Sequence, residues 1–561
     1  MLLTRLGGAP LWDDDEPKNA ACSLAMLDSG DWVVPTFNGQ LRVEKPPLVN
    51  WLHIAGMTLA GRNETGVRLG SAVLTIGTCL LTWRIGTILA TPAVGLVSGV
   101  VMATCVWTAV GGRAATPDAP LVFFTTLALF LFARDAFRPG RERGPLRLAP
   151  LTAIGIGAAC GAAVLAKGPV GFVLPCVAMG GFAAWHGWEH SRRAWFAGIL
   201  GLRPLTMFTV LLAVTLPWYA AVTIRTDGEW LRGFVLVHNV GRFAAPMEGH
   251  SGSILYYPLV ICCGLFPWSM VLAAMVAHVA CILRAPHDAR RPPCQLLACW
   301  AFAWIGGFSL AGTKLPGYVW PAYPALAIGT GMFLDACLRC DLAFLDLFRR
   351  RDRGLDLVIK AGWSTLAVGG AIIAVGLPLA ARRWSPGAEW LGAIGLVPLV
   401  CAAIGWRAAS PLQWHRAFAV LAVTACAMTT LLATVGAERI GRAATPKALF
   451  TAAGGGDAAG AWLPSADTLA CFPTTPPSLV FYAGGRVAKL DHADAVAAHL
   501  SGTQDAHLVV DSRFEQVVLP AVPAGHGVLA RVATVSARSL VLIGPLPRPS
   551  VNRLAADHRG R

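Results

Sequence analysis

Charge is what this chain lacks most: Asp, Glu, Lys and Arg make up 14% of its 561 residues, against roughly 25% in an average soluble protein. With 55% hydrophobic residues and a mean hydropathy of +0.57, the shortage excludes a soluble chain and leaves a polytopic membrane protein. Acid is scarcer than base, 31 residues against 46, for a net charge of +15. Such an excess would suit nucleic acid, but a membrane protein needs Lys and Arg in its cytoplasmic loops, which explains most of it; no nucleic-acid partner is expected. The fifteen cysteines lie mostly in apolar segments, Cys79, Cys105, Cys160, Cys176, Cys262 and Cys263 among them. They indicate neither a disulfide framework nor a zinc ribbon and read as small buried hydrophobes. No P-loop or GxGxxG-type fingerprint is present to cradle a nucleotide phosphate, and no internal repeat is apparent.

What is abundant is apolar sequence in runs of roughly 15 to 25 residues, the length a bilayer demands. They fall near 69–90, 92–111, 120–133, 148–166, 169–185, 204–224, 254–283, 296–312, 319–338, 357–381, 387–406 and 414–436, with 120–133 and 169–185 short. Basic loops alternate with them: Arg134, Arg138, Arg141, Arg143 and Arg147; Arg192, Arg193 and Arg203; Arg284, Arg290 and Arg291; Arg339, Arg349, Arg350, Arg351 and Arg353; Arg407 and Arg416. The positive-inside rule makes these loops cytoplasmic. Residues 11–66, the loops near 112–119, 167, 225–253 and 313–318, and all that follows 436 are then expected on the outer face. Amphipathic stretches at 19–28 and 47–60 are too short to span and read as interfacial. After 436 the β-type runs SLVFYAGG, HLVVDS and SLVLIG, with a helical piece DHADAVAAHL, predict a small α/β domain.

The outer-face list collects an unusual set of charges: acids Asp15, Glu16, Glu44 and Asp118, and bases Lys45, Lys167, Arg242 and Lys314. Cations in short loops on the side that should be poor in them need a reason, and a phosphate headgroup supplies one. The run Asp13, Asp14, Asp15 and Glu16 stands before a helix-like stretch, where acids also complement a helix dipole; like-charge repulsion among them calls for a nearby cation such as Lys18. Asp118 can orient an acceptor, bind a cation or cap its helix, with Arg113 as a candidate partner. Lys45 is stiffened by Pro46 and Pro47, which suits a Lys held against phosphate and also a snorkelling one. Lys167, in AKGPVG, reads as an anion cradle or as a plain hairpin turn. His238 and Arg242, four apart in HNVGRF, share a face if helical; Arg242 suits bidentate phosphate contact, and His238 a structural donor. His250 and Glu44 nearby permit a metal, but this is a weak pattern and no metal or cofactor is expected. Tyr318 and Tyr323, after Lys314, fit a binding role or an interfacial aromatic belt.

The ordered motifs DEPKNA, SGDWVVPTFNG, EKPPLVNWL, RAATPDAPLVFF, LAKGPVGFVLP, HNVGRF, YYPLVICCGLFPWS and TKLPGYVWPAYPALA resemble the GT-C glycosyltransferases of the aminoarabinose (4-amino-4-deoxy-L-arabinose) transferase and protein O-mannosyltransferase group, from about residue 11 to residue 340. PSLVFYAGGRV is similar to that group's small terminal domain. Gly317 departs from the pattern, which more often has a bulkier residue there. The group's first transmembrane helix also has no counterpart in the ten residues before Leu11, too few to span, so an upstream apolar helix is expected.

The resemblance implies a mainly α fold, a polytopic transmembrane helical bundle of the GT-C type (residues 1–436, first extracytoplasmic loop about 11–66) with outer-face interfacial helices, and a small extracytoplasmic α/β domain (437–561). It implies a plasma (inner) membrane enzyme that moves a sugar from a polyprenyl-phosphate donor to a glycolipid, lipid A-like, or protein acceptor, with inversion. By the resemblance, Asp15 matches the catalytic Asp, as general base; from the outer-face residues themselves, Asp118 is expected to join it as catalytic, and Glu16, Glu44, Lys45, Lys167, His238, Arg242, Lys314 and Tyr318 as binding residues. The competing reading is a transporter or flippase for such a lipid, but its charges should lie near the bilayer midplane.

Overall fold

A backbone group in the hydrocarbon of a bilayer has no water to bond, so apolar runs satisfy their amides internally as helices, and each of the runs above is helical here. The protein is described from a computed structural model covering residues 1–12, 14–139, 146–246, 251–344, 351–384, 387–407, 411–453, 467–503, 505–533 and 539–546. Asp13, Arg141, Arg143, His250, Arg349 and Arg350 lie outside the described residues. Among the described residues, eight helices or joined helices are long and apolar enough to cross a membrane, including Glu64–Leu89, Asp118–Ala136, Pro150–Lys167 and Asp356–Arg382, which makes this a multi-pass membrane protein.

The two runs expected to be short are not. Asp118–Ala136 and Val170–His190 have 19 and 21 residues, because each helix continues through polar ends, Asp118, Arg134 and Asp135 in one and His186, Glu189 and His190 in the other, that an apolar count leaves out. Helix starts follow local chemistry. Asn63 accepts the Gly66 amide at 3.1 Å, Thr91 that of Val94 at 3.2 Å and Ser191 that of Ala194 at 3.0 Å, each an N-cap worth about 1 kcal/mol.

The chain divides into two compact units. The first comprises Met1–Ala9, Met26–Thr36 and Gln40–Arg439. Lipid is as apolar as Leu, so its helices must be held by close packing rather than by apolar burial. Glu64–Leu89 and Pro92–Thr104 accordingly meet at Gly95, where a Cβ would come within 2.1 Å of Thr87 Oγ1 and 2.6 Å of the Trp83 carbonyl. One large core gathers Trp268, Trp320, Tyr323 and Trp363; another gathers Phe132, Phe182, Trp300 and Trp304. A smaller cluster of Leu165, Trp218, Val222, Trp230 and Phe234 is held by aromatic contacts, with Trp218 and Trp230 edge-on at 4.8 Å and Trp230 stacked on Phe234 at 4.7 Å. The only C-x-x-C in the sequence, Cys337 and Cys340, has both thiols free.

In the same unit, the first residues are grasped by two buried arginines. Arg113 donates to the carbonyls of Met1, Leu2, Thr4 and Arg5 at 2.8–3.4 Å, and Arg68 to those of Leu6 and Ala9 at 3.2 and 2.6 Å. Burial, and then the Arg68 charge, push Arg113 down to about 10. Arg113 therefore does not serve Asp118 as the sequence had allowed.

The SGDWVV segment is pinned by Asp31, whose carboxylate takes both Arg225 nitrogens at 2.7 and 2.9 Å and the amides of Val33 and Val34 at 3.0 and 3.3 Å. Burial raises the Asp31 carboxyl, but these donors outweigh it and the net shift is downward. A depressed folded value means the pair stabilises above the unfolded carboxylate's range, and that contribution is lost as pH falls through the folded value. Asp31→Asn is expected to lower stability near neutrality by about 1 kcal/mol or less, the usual worth of a largely exposed pair. The melting temperatures of variant and parent should converge as pH falls below about 4; a constant gap from pH 7 to pH 3 would exclude ionisation of Asp31 as the source.

The second unit comprises Pro10–Ala25, Phe37–Gly39 and Ile440–Arg561. Its sheet runs Ala488–Lys489, Leu469–Phe472, His507–Asp511, Ser539–Pro545, His526–Ala533, the first three parallel and the last two added antiparallel. Phe472, Val496, Leu500, Leu508, Val510, Val541 and Ile543 form its core. HLVVDS and SLVLIG are strands and DHADAVAAHL carries the helix Ala493–Gly502. SLVFYAGG, expected to be β, instead forms the helix Pro477–Tyr482: a short apolar run does not by itself separate strand from buried helix, and Pro477 at the first turn favours the helix.

Candidate active site

The first unit brings several of the predicted residues to one pocket. Helix Pro150–Lys167 ends at Gly168, with φ +85°, a conformation that only glycine adopts without strain. A Cβ there would also stand 2.6 Å from Phe234 Cζ. The turn leaves Lys167 at the helix end, where its ammonium pairs with Asp118 Oδ1 and lies 4.8 Å from the centre of the Tyr318 ring. Asp118 opens helix Asp118–Ala136. Gly317 makes room for it, since a Cβ at 317 would be 3.0 Å from Asp118 Oδ2.

Tyr318 links this pair to Arg242, whose Nη1 donates to the Tyr318 hydroxyl at 3.4 Å. Arg242 follows a stretch of π-helix, Gly233–Gly241, a rare geometry that often marks functional sites. The Asn239 side-chain amide Nδ2 donates to the Phe234 carbonyl at 2.7 Å, which ties the side chain back to the start of this stretch. The segment is held from outside as well: Gly312 N–H donates to the Phe243 carbonyl at 2.8 Å, Thr313 N–H to that of Arg242 at 3.2 Å and the Thr313 hydroxyl to that of Ala245 at 3.0 Å. Glu44 accepts Arg42 Nε at 2.6 Å, and Trp230 Nε1 donates to the Arg42 carbonyl at 2.9 Å, which fixes the segment leading into Lys45.

Glu44, Lys45, Lys167, His238, Arg242 and Tyr318 line an open pocket together with Val170, Phe234, Asn239, Phe243, Phe308, Ala311 and Thr313. Among the described residues, its lining carries the cations Lys45, Lys167 and Arg242 with Glu44, and an apolar side of Phe and aliphatic groups. That combination fits an amphiphile with an anionic head. Asn239, Thr313 and the three phenylalanines were not singled out in the sequence, although Asn239 and Phe243 lie inside HNVGRF and Thr313 opens TKLPGYVWPAYPALA.

Other predicted residues lie elsewhere. Lys314 is buried, donates to the carbonyls of Ser309 and Ala311 at 2.8 and 3.1 Å and stands 5.7 Å from the centre of the Tyr257 ring; it ties down a helix end and is not part of the pocket lining. Tyr323 is fully buried and donates to the Val260 carbonyl at 3.3 Å, so it is a core residue and no member of an interfacial belt. Asp15 and Glu16 belong to the second unit. Asp15 is exposed in the first turn of helix Asp15–Ser29. Glu16 is buried and accepts the Trp12 amide at 2.9 Å. Among the described residues, no group of three or more His, Cys, Asp and Glu is placed to hold a metal ion.

Residues 44–224 match the sequence model of the dolichyl-phosphate-mannose-protein mannosyltransferases. An undecaprenyl phosphate-alpha-4-amino-4-deoxy-L-arabinose arabinosyl transferase from Pseudomonas paraeruginosa is 32% identical over 340 residues, which are 60% of this chain and 58% of that protein. One from Erwinia tasmaniensis is 30% identical over 57% of this chain and 54% of its own. The chain thus spans little more than half the length of these curated relatives. In the crystal structure of ArnT from Cupriavidus metallidurans bound to undecaprenyl phosphate, the same fold recurs with a TM-score of 0.71 over 96% of this chain and 95% of that one, at 21% identity. Joined to the ordered motifs, these likenesses make the chain similar to the GT-C glycosyltransferases of the aminoarabinose transferase and protein O-mannosyltransferase group, whose fold it shares.

Proposed function

We propose that the protein is a membrane glycosyltransferase that takes a sugar from a polyprenyl-phosphate donor and passes it, with inversion at the anomeric carbon, to a glycolipid of the lipid A type or to a protein. The observation that carries the reading is the pocket itself, cationic through Lys45, Lys167 and Arg242 and apolar through Phe243 and Phe308. When the sugar leaves, negative charge grows on the lipid phosphate, and fixed cations stabilise that change without reorganising. Arg242 offers a fork to two phosphate oxygens, with Tyr318 as a further hydroxyl. Lys167 is paired with Asp118 and sets geometry, and Lys45 and Arg242 are the cations assigned to the phosphate. An acceptor hydroxyl is a poor nucleophile, and the role assigned to Asp15 is to take its proton as a general base.

On this reading the enzyme works in the plasma membrane, with the pocket and the small domain of residues 437–561 on the extracytoplasmic side and residues 1–436 as the membrane domain. The relatives' names supply the donor class, undecaprenyl phosphate carrying an amino sugar. The test is the purified chain in lipid with a polyprenyl-phosphate sugar and an acceptor extract. Release of free polyprenyl phosphate, with a matching gain in acceptor mass, is expected. Passage of intact donor across vesicles with no release would replace the enzyme by a transporter.

A further inference from the structure

We infer that Tyr482, near the other end of the chain from the acidic motif, is a positioning residue for the reaction: it holds the segment from which Asp15 acts. The inference rests on the reading of Asp15 as the base. Asp15 is exposed in the first turn of its helix, so it is only as well placed as the backbone before it. That backbone is held at two successive amides. Leu11 N–H donates to the Tyr482 hydroxyl at 2.8 Å across 471 positions of sequence, and Trp12 N–H to Glu16 Oε2 at 2.9 Å. Leu11 itself is 1% exposed, so the first bond is made at a buried anchor.

Tyr482 is fixed in its turn. It closes the helix Pro477–Tyr482, whose residues Leu479, Val480 and Phe481 are buried, and the ammonium of Lys447 lies 4.9 Å from the centre of its ring. A second tie joins the same parts of the sequence: Asn38 Nδ2 donates to the Val487 carbonyl at 3.1 Å and Asn38 Oδ1 accepts the Val487 amide at 2.9 Å. Gly39, at φ +82°, leaves space there, since a Cβ would stand 3.0 Å from Arg486 Nε. Pro10–Ala25 and Phe37–Gly39 thus fold as parts of the unit built by the C-terminal residues. The small domain is the mount of the acidic segment. Misplacing a reacting group by about 1 Å can cost on the order of a hundredfold in rate, so the mount should be legible in turnover.

The experiment uses the full chain in lipid with a polyprenyl-phosphate sugar as donor, and compares Tyr482→Phe, Tyr482→Ala, Lys447→Gln and Asp15→Asn. Tyr482→Phe removes one hydroxyl and keeps the ring under Lys447. It should lower kcat about tenfold, the scale of one lost hydrogen bond, with KM for the donor unchanged within about twofold and faster hydrogen exchange at residues 10–19. Tyr482→Ala should lower kcat further; if it fails to fold, Lys447→Gln, which leaves the hydroxyl in place, should fall between parent and Tyr482→Phe. Normal kcat in Tyr482→Phe beside an inactive Asp15→Asn overturns the inference and leaves the base intact. So does a fall in melting temperature with kcat unchanged, or a rise in KM alone. An active Asp15→Asn instead removes the reading on which the inference stands, whatever Tyr482 does.

Discussion

Asp15→Asn is expected to abolish transfer while the protein still binds the polyprenyl-phosphate donor. The change keeps the size of the side chain and removes its ability to take a proton, and general-base catalysis of a hydroxyl's attack contributes on the order of 10² to 10⁴ in rate. Donor binding should survive because the cations assigned to the phosphate are Lys45 and Arg242, in another unit of the chain. Asp13→Asn serves as the control and should have far less effect. Glu16→Gln should act differently again, through folding, since the buried Glu16 carboxylate accepts the Trp12 amide. Single-turnover assays with labelled donor, beside a binding measurement, make the distinction; normal turnover by Asp15→Asn would leave Asp15 as a helix-capping acid and require another base.

The second large effect is expected at the phosphate. Lys45→Ala and Arg242→Ala each remove a charge-assisted contact of roughly 1.5–3 kcal/mol, which is on the order of 10- to 100-fold in affinity. Binding of the phosphate-linked lipid should weaken by that much, and binding of the free polyprenyl alcohol should hardly change, because the alcohol meets only the apolar side lined by Phe243 and Phe308. Arg242→Lys should rescue only in part, since a point charge replaces a fork and the 3.4 Å contact with Tyr318 depends on the guanidinium's reach. Equal losses for both lipids would show that these side chains shape the pocket and do not read the phosphate.

Much of the site was legible in the sequence because its signals are local. EKPP, AKGPVG and HNVGRF each combine a cation or polar group with residues that break regular structure, and five of the predicted binding residues besides Lys167 or its partner Asp118 illustrate how far that goes. Glu44, Lys45, His238, Arg242 and Tyr318 all line the pocket. Lys314 carries the same kind of signal, a Lys before Leu-Pro-Gly, yet its ammonium is used by the carbonyls of Ser309 and Ala311. A motif states that a charge stands at a helix mouth; whether backbone or ligand receives it depends on a few ångströms of loop path that no spacing encodes.

By itself the sequence determined the membrane class, the helical segments and the types of chemistry at their ends, because hydropathy, capping and turn residues act within a few positions of one another. Only the tertiary structure decided which ends meet. Asp118 is claimed by Lys167, 49 positions away, and not by nearby Arg113, whose donors go to the first residues of the chain. The acidic segment is carried by the C-terminal unit through a bond spanning 471 positions. In a bilayer every helix is apolar on nearly all sides, so apolarity says little about which faces pair. Packing of small residues and the few polar bonds settle that, and both are properties of two distant stretches of chain at once.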